Sequence, residues 1–303
     1  MPDAAAASQL LTVRDFLRYA LSEFRAAKII HGHGTTSALD EAAFIILETL
    51  HLPIDDINPW LDARLLQSER EALSDMIRIR IETRKPAAYL LKRCYIHGVP
   101  FYVDERVIVP RSYIGELMFS GSFGGDTSLI EDPALVTTVL DLCTGSGCLA
   151  ILASGVFPNA DIDAVDLSAD ALEVARINVD DNDLSSRINL LQGDLFEAVE
   201  GQTYDLIITN PPYVAGPEVD AFAPEYAHEP VMAHLGGDDG LDIVRRILAG
   251  AADHLNPGGG LLCEIGTGRD ILVAEYPHLD FLWLDTEESE GEVFWITREL
   301  LIG

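Results

Sequence analysis

Asp141-Leu142-Cys143-Thr144-Gly145-Ser146-Gly147 is a glycine-rich loop that follows the apolar run Val136–Leu142 and precedes the apolar run Cys148–Phe157. Gly145 and Gly147 permit the tight turn and the close backbone approach that such a loop requires. A buried strand, a glycine turn and a helix in this order form the first unit of a parallel sheet with helical crossovers. The stretch therefore predicts an α/β fold with a ligand-binding loop after its first strand.

Strands and helices are predicted to alternate from this loop to the end of the chain. The candidate strands are Val136–Leu142, Ile162–Asp166, Ile188–Gln192, Leu206–Thr209, Leu261–Ile265, Phe281–Asp285 and Glu292–Thr297. The candidate helices are Cys148–Phe157, Ala169–Asn178, Leu241–Leu255 and Arg269–Tyr276. Apolar strands separated by helices are typical of parallel sheets, and two successive strands at the end indicate an antiparallel pair. We predict a seven-strand, doubly wound, Rossmann-like sheet.

The chain before this alternation is predicted to be helical. Apolar residues in Leu10–Phe24, Leu39–Leu50 and Leu65–Ile81 recur at i, i+3, i+4 and i+7, which marks one buried face on each of three helices. Ser68 and Glu71 have the spacing of a capping box for the third helix. The pattern indicates a small all-α bundle.

A β-hairpin is expected to link the bundle to the sheet. The turn signal His97–Pro100 lies between two short strand candidates, Cys94–Ile96 and Phe101–Val103. We therefore divide the chain into a helical bundle at 1–85, a hairpin linker at 86–112 and the main domain at 113–303.

The motif Asn210-Pro211-Pro212-Tyr213 ends the apolar run Leu206–Thr209. Its two prolines lack backbone donors, and a residue before proline is held extended. The Asn210 side chain and the Pro211 carbonyl can then face one point as acceptors, with the Tyr213 ring beside them. Because two such acceptors hold both hydrogens of a planar –NH2 group, the motif predicts a site that acts on an amide or amine nitrogen.

Acidic residues at three successive strand ends favour S-adenosylmethionine as the cofactor. Ligands of doubly wound sheets bind beyond the carboxyl ends of the strands. There Asp141 would accept from the methionine ammonium, Asp166 from the ribose hydroxyls and Asp194 from the adenine amine, with Leu195 against the ring. The predicted cofactor residues are Asp141, Cys143, Gly145, Gly147, Asp166, Asp194, Leu195 and Asn210.

The glycine loop alone also permits a dinucleotide or a simple turn. The dinucleotide fingerprint requires a third glycine, and Ala150 stands there. The transfer residues, Asn210, Pro211, Pro212 and Tyr213, suit methyl transfer to a nitrogen by orientation rather than by a strong base.

The charge of the chain indicates which kinds of partner it can bind. The formal net charge is -30, from 50 acidic and 20 basic residues. Nucleic-acid backbones are normally bound by a basic face, so direct nucleic-acid binding is not expected, whereas a basic protein partner would be attracted. An organism-wide acidic composition is the alternative explanation for this charge.

The four cysteines lack metal-ligand spacing, so no metal is expected. The first nine residues do not resemble a signal peptide and no run is long enough to span a membrane, which indicates a cytoplasmic protein.

Nearly the whole chain resembles the HemK-type glutamine methyltransferases, through the motif Asn210–Tyr213 and the cofactor residues Asp141, Gly145, Gly147 and Asp166. The resemblance implies a class I S-adenosylmethionine-dependent methyltransferase domain behind a substrate-recognising helical bundle. It also implies transfer to the side-chain nitrogen of glutamine in a translation protein, with S-adenosylhomocysteine as product.

Residues 101–112 resemble the branch that methylates ribosomal protein L-three of the large subunit, although Tyr113 stands where that branch has proline. Three alternatives stay open: the Gly-Gly-Gln glutamine of peptide release factors as substrate, an amino-methyltransferase acting on nucleic acid, and a non-enzymatic ribosome-assembly factor. The last remains because a fold alone does not prove activity.

Overall fold

The computed structural model describes residues 8–126, 128–287 and 289–303 and divides into two compact units. The helical unit comprises the chain up to Cys94 together with Val103–Glu105 and Ala223–His228; the sheet unit comprises Tyr95–Tyr102, Arg106–Phe222 and Glu229–Gly303. Residues 1–7, part of the segment used to predict the absence of a signal peptide, lie outside the described residues. Within the described ranges, no helix combines the length and the apolar character needed to cross a bilayer.

The helical unit confirms the three predicted helices. Its α-helices are α1 (Val13–Ala26), α2 (Ala38–Thr49), α3 (Gln67–Thr83) and α4 (Ala87–Leu91). The predicted Ser68–Glu71 capping box is wrong, because Ser68 already lies inside α3. Glu69 instead accepts a hydrogen bond from the Leu66 N–H at 2.7 Å, two residues earlier than expected.

A buried ionic cluster lies inside the helical unit. Arg80 and Glu41 are inaccessible, and Arg80 Nε donates to Glu41 Oε1 at 2.7 Å. Glu225, also fully buried, accepts from the Ile30 N–H at 3.0 Å and pairs with Arg84 at 2.9 Å. The segment Ala223–His228 is therefore fixed within this unit although it lies far along the chain.

The sheet unit contains the predicted seven-stranded sheet. Its strands are β3 (Thr138–Leu142), β4 (Asp161–Asp166), β5 (Ile188–Gln192), β6 (Tyr204–Thr209), β7 (Leu255–Glu264), β8 (Leu282–Asp285) and β9 (Glu290–Thr297), after a hairpin of β1 (Cys94–Ile96) and β2 (Val99–Phe101). The spatial order is β5-β4-β3-β6-β7-β9-β8. The first five strands pair in parallel, and β9 runs antiparallel to both β7 and β8, as the two successive terminal strands predicted.

The helices of this unit are α5 (Tyr113–Phe119), α6 (Cys148–Val156), α7 (Ala169–Asp181), α8 (Gly216–Val219), α9 (Asp242–Ala251), α10 (Arg269–Glu275) and α11 (Arg298–Ile302). The four predicted helices are α6, α7, α9 and α10. Between β5 and β6 the chain forms only the short 3-10 segment Leu195–Val199.

The hairpin differs from its prediction in its second strand. The turn is the pair His97-Gly98, with φ values of 47° and 80°. Positive φ at both central residues suits a type I′ turn, which matches the twist of the flanking strands. The second strand is therefore Val99–Phe101 rather than Phe101–Val103, and Pro100 lies in a two-stranded hairpin, where the proline is tolerated.

Candidate active site

The carboxyl ends of four neighbouring strands bring the predicted site residues to one edge of the sheet. β3 lies between β4 and β6, and its last residue, Leu142, is in register with Thr209. Asp166 ends β4, and Asn210 directly follows Thr209. Since β5 pairs with β4, the segment that holds Asp194 reaches the same edge. The proposed cofactor and transfer residues are thus neighbours in space.

Asp141 is a fully buried carboxyl beneath the glycine loop. Its Oδ2 accepts from Thr144 Oγ1 at 2.6 Å and from the Ala150 N–H at 3.1 Å. Its Oδ1 is buried with no partner in the part of the chain that the structure describes. Burial raises the pKa of Asp141 to about 7. An unpaired buried carboxyl oxygen is costly, and a donor brought by a ligand would remove that cost.

The loop glycines have two different roles. Gly145 has φ +56°, and a Cβ added to it would meet nothing within 4 Å, so its backbone faces open space. Gly147 has φ +79°, but its Cβ would lie 3.2 Å from the Cβ of Ala175 on α7. Cys143 also has positive φ, and burial raises the pKa of its thiol, which stays protonated. Only Gly145 leaves room for a ligand beside the loop.

Asp166 ties the end of β4 to the glycine loop. Its Oδ2 accepts from the Gly145 N–H at 2.8 Å, and its Oδ1 accepts from the Ser168 N–H at 2.8 Å. Burial raises its pKa. Each carboxylate oxygen keeps a second lone pair, so hydroxyl groups of a ligand could still bind.

The third acidic position has a protein partner that the sequence did not reveal. Asp194 pairs with Arg246 of α9 at 2.9 Å. Leu195, with φ +53°, is buried in the core of the sheet unit. Phe196 stacks on His254 at a centroid distance of 4.4 Å. Leu195 and Phe196 are therefore both engaged in packing.

The transfer motif is held by a residue that the sequence analysis did not select. Tyr213 Oη donates to Glu264 Oε1 at 2.9 Å. The second oxygen of Glu264 accepts from Ser112 Oγ at 2.7 Å and from the Tyr113 N–H at 2.9 Å. Glu264 is fully buried at the end of β7, and burial raises its pKa to about 7. Burial and then Glu264 raise the pKa of Tyr213, so its hydroxyl stays neutral.

Three glycines lie against the backbone and ring of the motif. A Cβ at Gly236 would meet the Pro212 carbonyl oxygen at 2.7 Å, and one at Gly240 would collide with the Tyr213 carbonyl oxygen. A Cβ at Gly266, which has φ +55°, would lie 2.7 Å from the Tyr213 ring. Any side chain at these positions would displace the motif.

Arg111 and Glu229 hold the segment that carries Ser112. Glu229 is fully buried and accepts from both terminal nitrogens of Arg111, at 2.8 and 2.7 Å. It also accepts from the Val109 N–H at 2.9 Å, and His234 Nε2 lies 2.9 Å from its carboxylate. Such a two-point pairing fixes orientation as well as distance.

Comparisons with known proteins identify the family. The family model "Methyltransferase small domain" matches residues 128–226, which include both the glycine loop and the Asn210 motif. A "Ribosomal protein uL3 glutamine methyltransferase" of Bradyrhizobium diazoefficiens is 56% identical over 291 residues, 95% of this chain and 91% of the relative. One of Neisseria meningitidis is 53% identical over 298 residues, 98% of this chain and 97% of the relative. The chain belongs to this family of glutamine methyltransferases.

A solved structure extends the comparison to the fold. The hMettl16 catalytic domain, in complex with MAT2A 3′UTR hairpin 6, matches with a TM-score of 0.50 and 15% identity, covering 73% of this chain and 81% of that one. At this identity the likeness shows the methyltransferase fold alone.

The structure explains one departure of this glutamine methyltransferase from the resemblance. Tyr113 stands where proline was expected, and its N–H is a donor to Glu264 that proline would lack. Sequence reasoning missed Glu264 and the structural role of Glu229. Glu264 ends a buried strand as Asp166 does, but the predicted strand Leu261–Ile265 ran one residue past it.

Proposed function

We propose that this chain transfers a methyl group from S-adenosylmethionine to the side-chain nitrogen of a glutamine in ribosomal protein uL3, which is protein L-three of the large subunit. The products would be N-methylglutamine and S-adenosylhomocysteine. One observation carries the proposal: Asn210 follows β6 directly beside β3, whose end bears the cofactor loop. The choice of uL3 rests on the names of the relatives.

The residues present fit S-adenosylmethionine. The unpaired buried oxygen of Asp141 would accept from the cofactor's ammonium, and Asp166 would accept from its ribose hydroxyls. The open space over Gly145 leaves room for a ligand against the backbone. Asp194 and Leu195 are proposed to lie at the adenine end, with Arg246 fixing the carboxylate. Cys143 would contribute its backbone and a neutral thiol.

Asn210 and Pro211 would orient the substrate nitrogen. When bound, the cofactor supplies an electrophilic methyl carbon on a sulfonium. An amide nitrogen is a weak nucleophile because its lone pair is delocalised into the carbonyl. Asn210 Oδ1 and the Pro211 carbonyl would each accept one of its hydrogens and so fix the direction of that lone pair. Correct orientation of this kind supplies about 7–11 kcal/mol of a reaction barrier.

Tyr213 would support the planar amide without moving a proton. Its raised pKa keeps the hydroxyl protonated, and the hydroxyl donates a hydrogen bond to Glu264. Asn210 and Pro211 are neutral acceptors, so they hold the hydrogens rather than remove them. The nitrogen would gain the methyl carbon as the carbon–sulfur bond breaks, and its surplus proton would pass to water.

We propose that the helical unit recognises uL3 and that the reaction takes place in the cytoplasm. A basic ribosomal protein would be attracted by a chain of net charge -30. No metal is needed for these steps, since orientation and neutral acceptors carry them.

The test is methyl transfer from S-adenosylmethionine to purified uL3 and, separately, to a peptide release factor, with mass spectrometry locating the methyl group. We expect methyl on a glutamine of uL3 alone. Methyl on the release factor alone would overturn the substrate, and methyl found only on added ribosomal RNA would overturn the reaction class.

Asn210→Ala should abolish turnover, whereas cofactor binding should persist because the other seven predicted cofactor residues are unchanged. The matched control is Asn189→Ala, an exposed asparagine on β5 that should leave turnover unchanged. Full ability of Asn210→Ala to support ribosome assembly in cells would favour the non-enzymatic role.

A further inference from the structure

Glu264 lies beside the transfer motif for a topological reason. β7 pairs with β6, and Cys263 is in register with Thr209, the residue before Asn210. Glu264 therefore stands at the same sheet edge as the other strand-end residues of the site. Its carboxyl is fully buried, and all three of its hydrogen-bonding partners are groups that donate to it.

This arrangement fixes the Tyr213 ring from two sides. The hydroxyl is held by Glu264 Oε1, and the ring edge lies against Gly266, two residues further along the same segment. Neither contact is needed to complete the sheet, because the backbone of β7 is already paired with β6 and β9. The hydrogen bond to Glu264 and the contact with Gly266 instead determine the position of the Tyr213 ring.

We propose that Glu264 is a positioning residue of the methyl-transfer site, which by binding Tyr213, Ser112 and the Tyr113 N–H together sets the ring against which the substrate amide packs. This inference rests on the proposed function, and it assigns Glu264 no contact with the substrate. Tyr113 helps to hold Glu264 in place, since its N–H gives Glu264 a third donor where proline would give none.

The ionisation state of Glu264 should affect how firmly it holds Tyr213. A backbone N–H can only donate, so the full set of three donors is satisfied best by the ionised carboxylate. The charged or titratable groups around it are Tyr213 after β6, Arg111 before α5, Glu292 on β9 and its neighbour Cys263. Burial and Glu292 raise the pKa of Glu264, whereas the donors lower it.

The kinetic test is a double-mutant cycle of Glu264→Gln and Tyr213→Phe. Glu264→Gln should lower kcat by about ten- to a hundredfold, because a displaced positioning group costs that much. The KM for S-adenosylmethionine should stay within about twofold of the wild-type value, since the substitution does not change the binding of the cofactor in the ground state. The double variant should be no slower than Tyr213→Phe. Unchanged kcat in Glu264→Gln, or losses that multiply in the double variant, would overturn the proposal.

A matched pair at the other end of the sheet controls for generic damage. Tyr204 Oη donates to Asp163 Oδ2 at 2.6 Å, so Asp163→Asn weakens, and Tyr204→Phe removes, a bond of the same kind. These variants should couple in thermal stability and leave kcat unchanged. Tyr113→Pro should lower kcat less than Glu264→Gln, because it removes only one of the three donors.

A substrate-independent readout separates this inference from the proposed function. With 3-fluorotyrosine in place of the nine tyrosines, the Tyr213 resonance is identified by its loss in Tyr213→Phe. Its 19F shift should titrate near neutral pH in the wild-type protein and not in Glu264→Gln. A Tyr213 resonance that keeps its wild-type shift in Glu264→Gln, or in Tyr113→Pro if Glu264→Gln fails to fold, would overturn the inference. Failure of the wild-type protein to methylate uL3, with the titration intact, would overturn only the proposed function.

Discussion

Arg111 binds Glu229 through both of its terminal nitrogens, at 2.8 and 2.7 Å, although the side chain of Glu229 has no accessible surface. Arg111→Ala should therefore destabilise the sheet unit by about 3 kcal/mol, because it leaves a buried carboxylate without its cation. A lowered melting temperature in differential scanning calorimetry checks this.

Arg106 supplies the control for that measurement. Its exposure, 31%, is close to the 30% of Arg111, but its partner Glu173 is 62% exposed. Exposed ion pairs contribute about 0–1 kcal/mol. If Arg106→Ala and Arg111→Ala lowered the melting temperature equally, burial of the partner would not be the deciding factor.

Cofactor affinity should depend on pH through Asp141. Burial raises its pKa to about 7, well above its unfolded value, so the carboxyl is protonated in slightly acidic solution. Only the ionised form pairs with the ammonium group of the cofactor. The affinity for S-adenosylhomocysteine should thus rise with pH until Asp141 is ionised, by up to about tenfold per pH unit below the pKa.

Isothermal titration calorimetry between about pH 6 and about pH 8 measures this dependence. Asp141→Asn, which cannot ionise, should bind more weakly and show a flatter profile. Affinity that falls as the pH rises through neutrality would contradict the assigned role of Asp141.

Gly145→Ala should weaken cofactor binding more than it weakens the fold. The new methyl group would enter the open space beside the loop, and the positive φ of +56° adds a conformational cost of about 1–2 kcal/mol. Gly155→Ala is the control: its Cβ also meets open space, but it lies inside α6, where alanine stabilises by roughly 0.5–1 kcal/mol. Unchanged cofactor affinity in Gly145→Ala would place the cofactor elsewhere.

The apolar pattern was sufficient to predict the sheet and the strand ends at which candidate site residues lie. Buried parallel strands are continuous apolar runs, and Ile188–Gln192 was located to the residue. The rule that ligands bind beyond strand ends then selected Asp141, Asp166 and Asn210. Glu264 follows the same rule, but in the sequence it reads as one polar residue inside the run Leu261–Ile265.

Other features depend on contacts between distant parts of the chain. The buried Glu225 accepts a hydrogen bond from the N–H of Ile30, 195 residues away, and Glu229 is bound by Arg111, 118 residues away. No local pattern predicts which glutamate of a polar loop becomes buried. The Asp194–Arg246 pair was missed for the same reason, since α9 and the end of β5 meet only in the folded unit.

The negative charge of the chain should make kcat/KM for uL3 depend on salt concentration. If its net charge of -30 attracts a basic substrate, kcat/KM for uL3 should fall by about tenfold or more as salt is raised from low to high concentration, because screening shortens the reach of the field. The KM for S-adenosylmethionine, measured in the same reactions, should change little, since that small ligand is proposed to be held by short-range contacts with Asp141 and Asp166. Steady-state assays over a sodium chloride series test both quantities. A kcat/KM for uL3 that rises with salt would mean that the acidic surface serves solubility in salt, and substrate attraction would have to be abandoned.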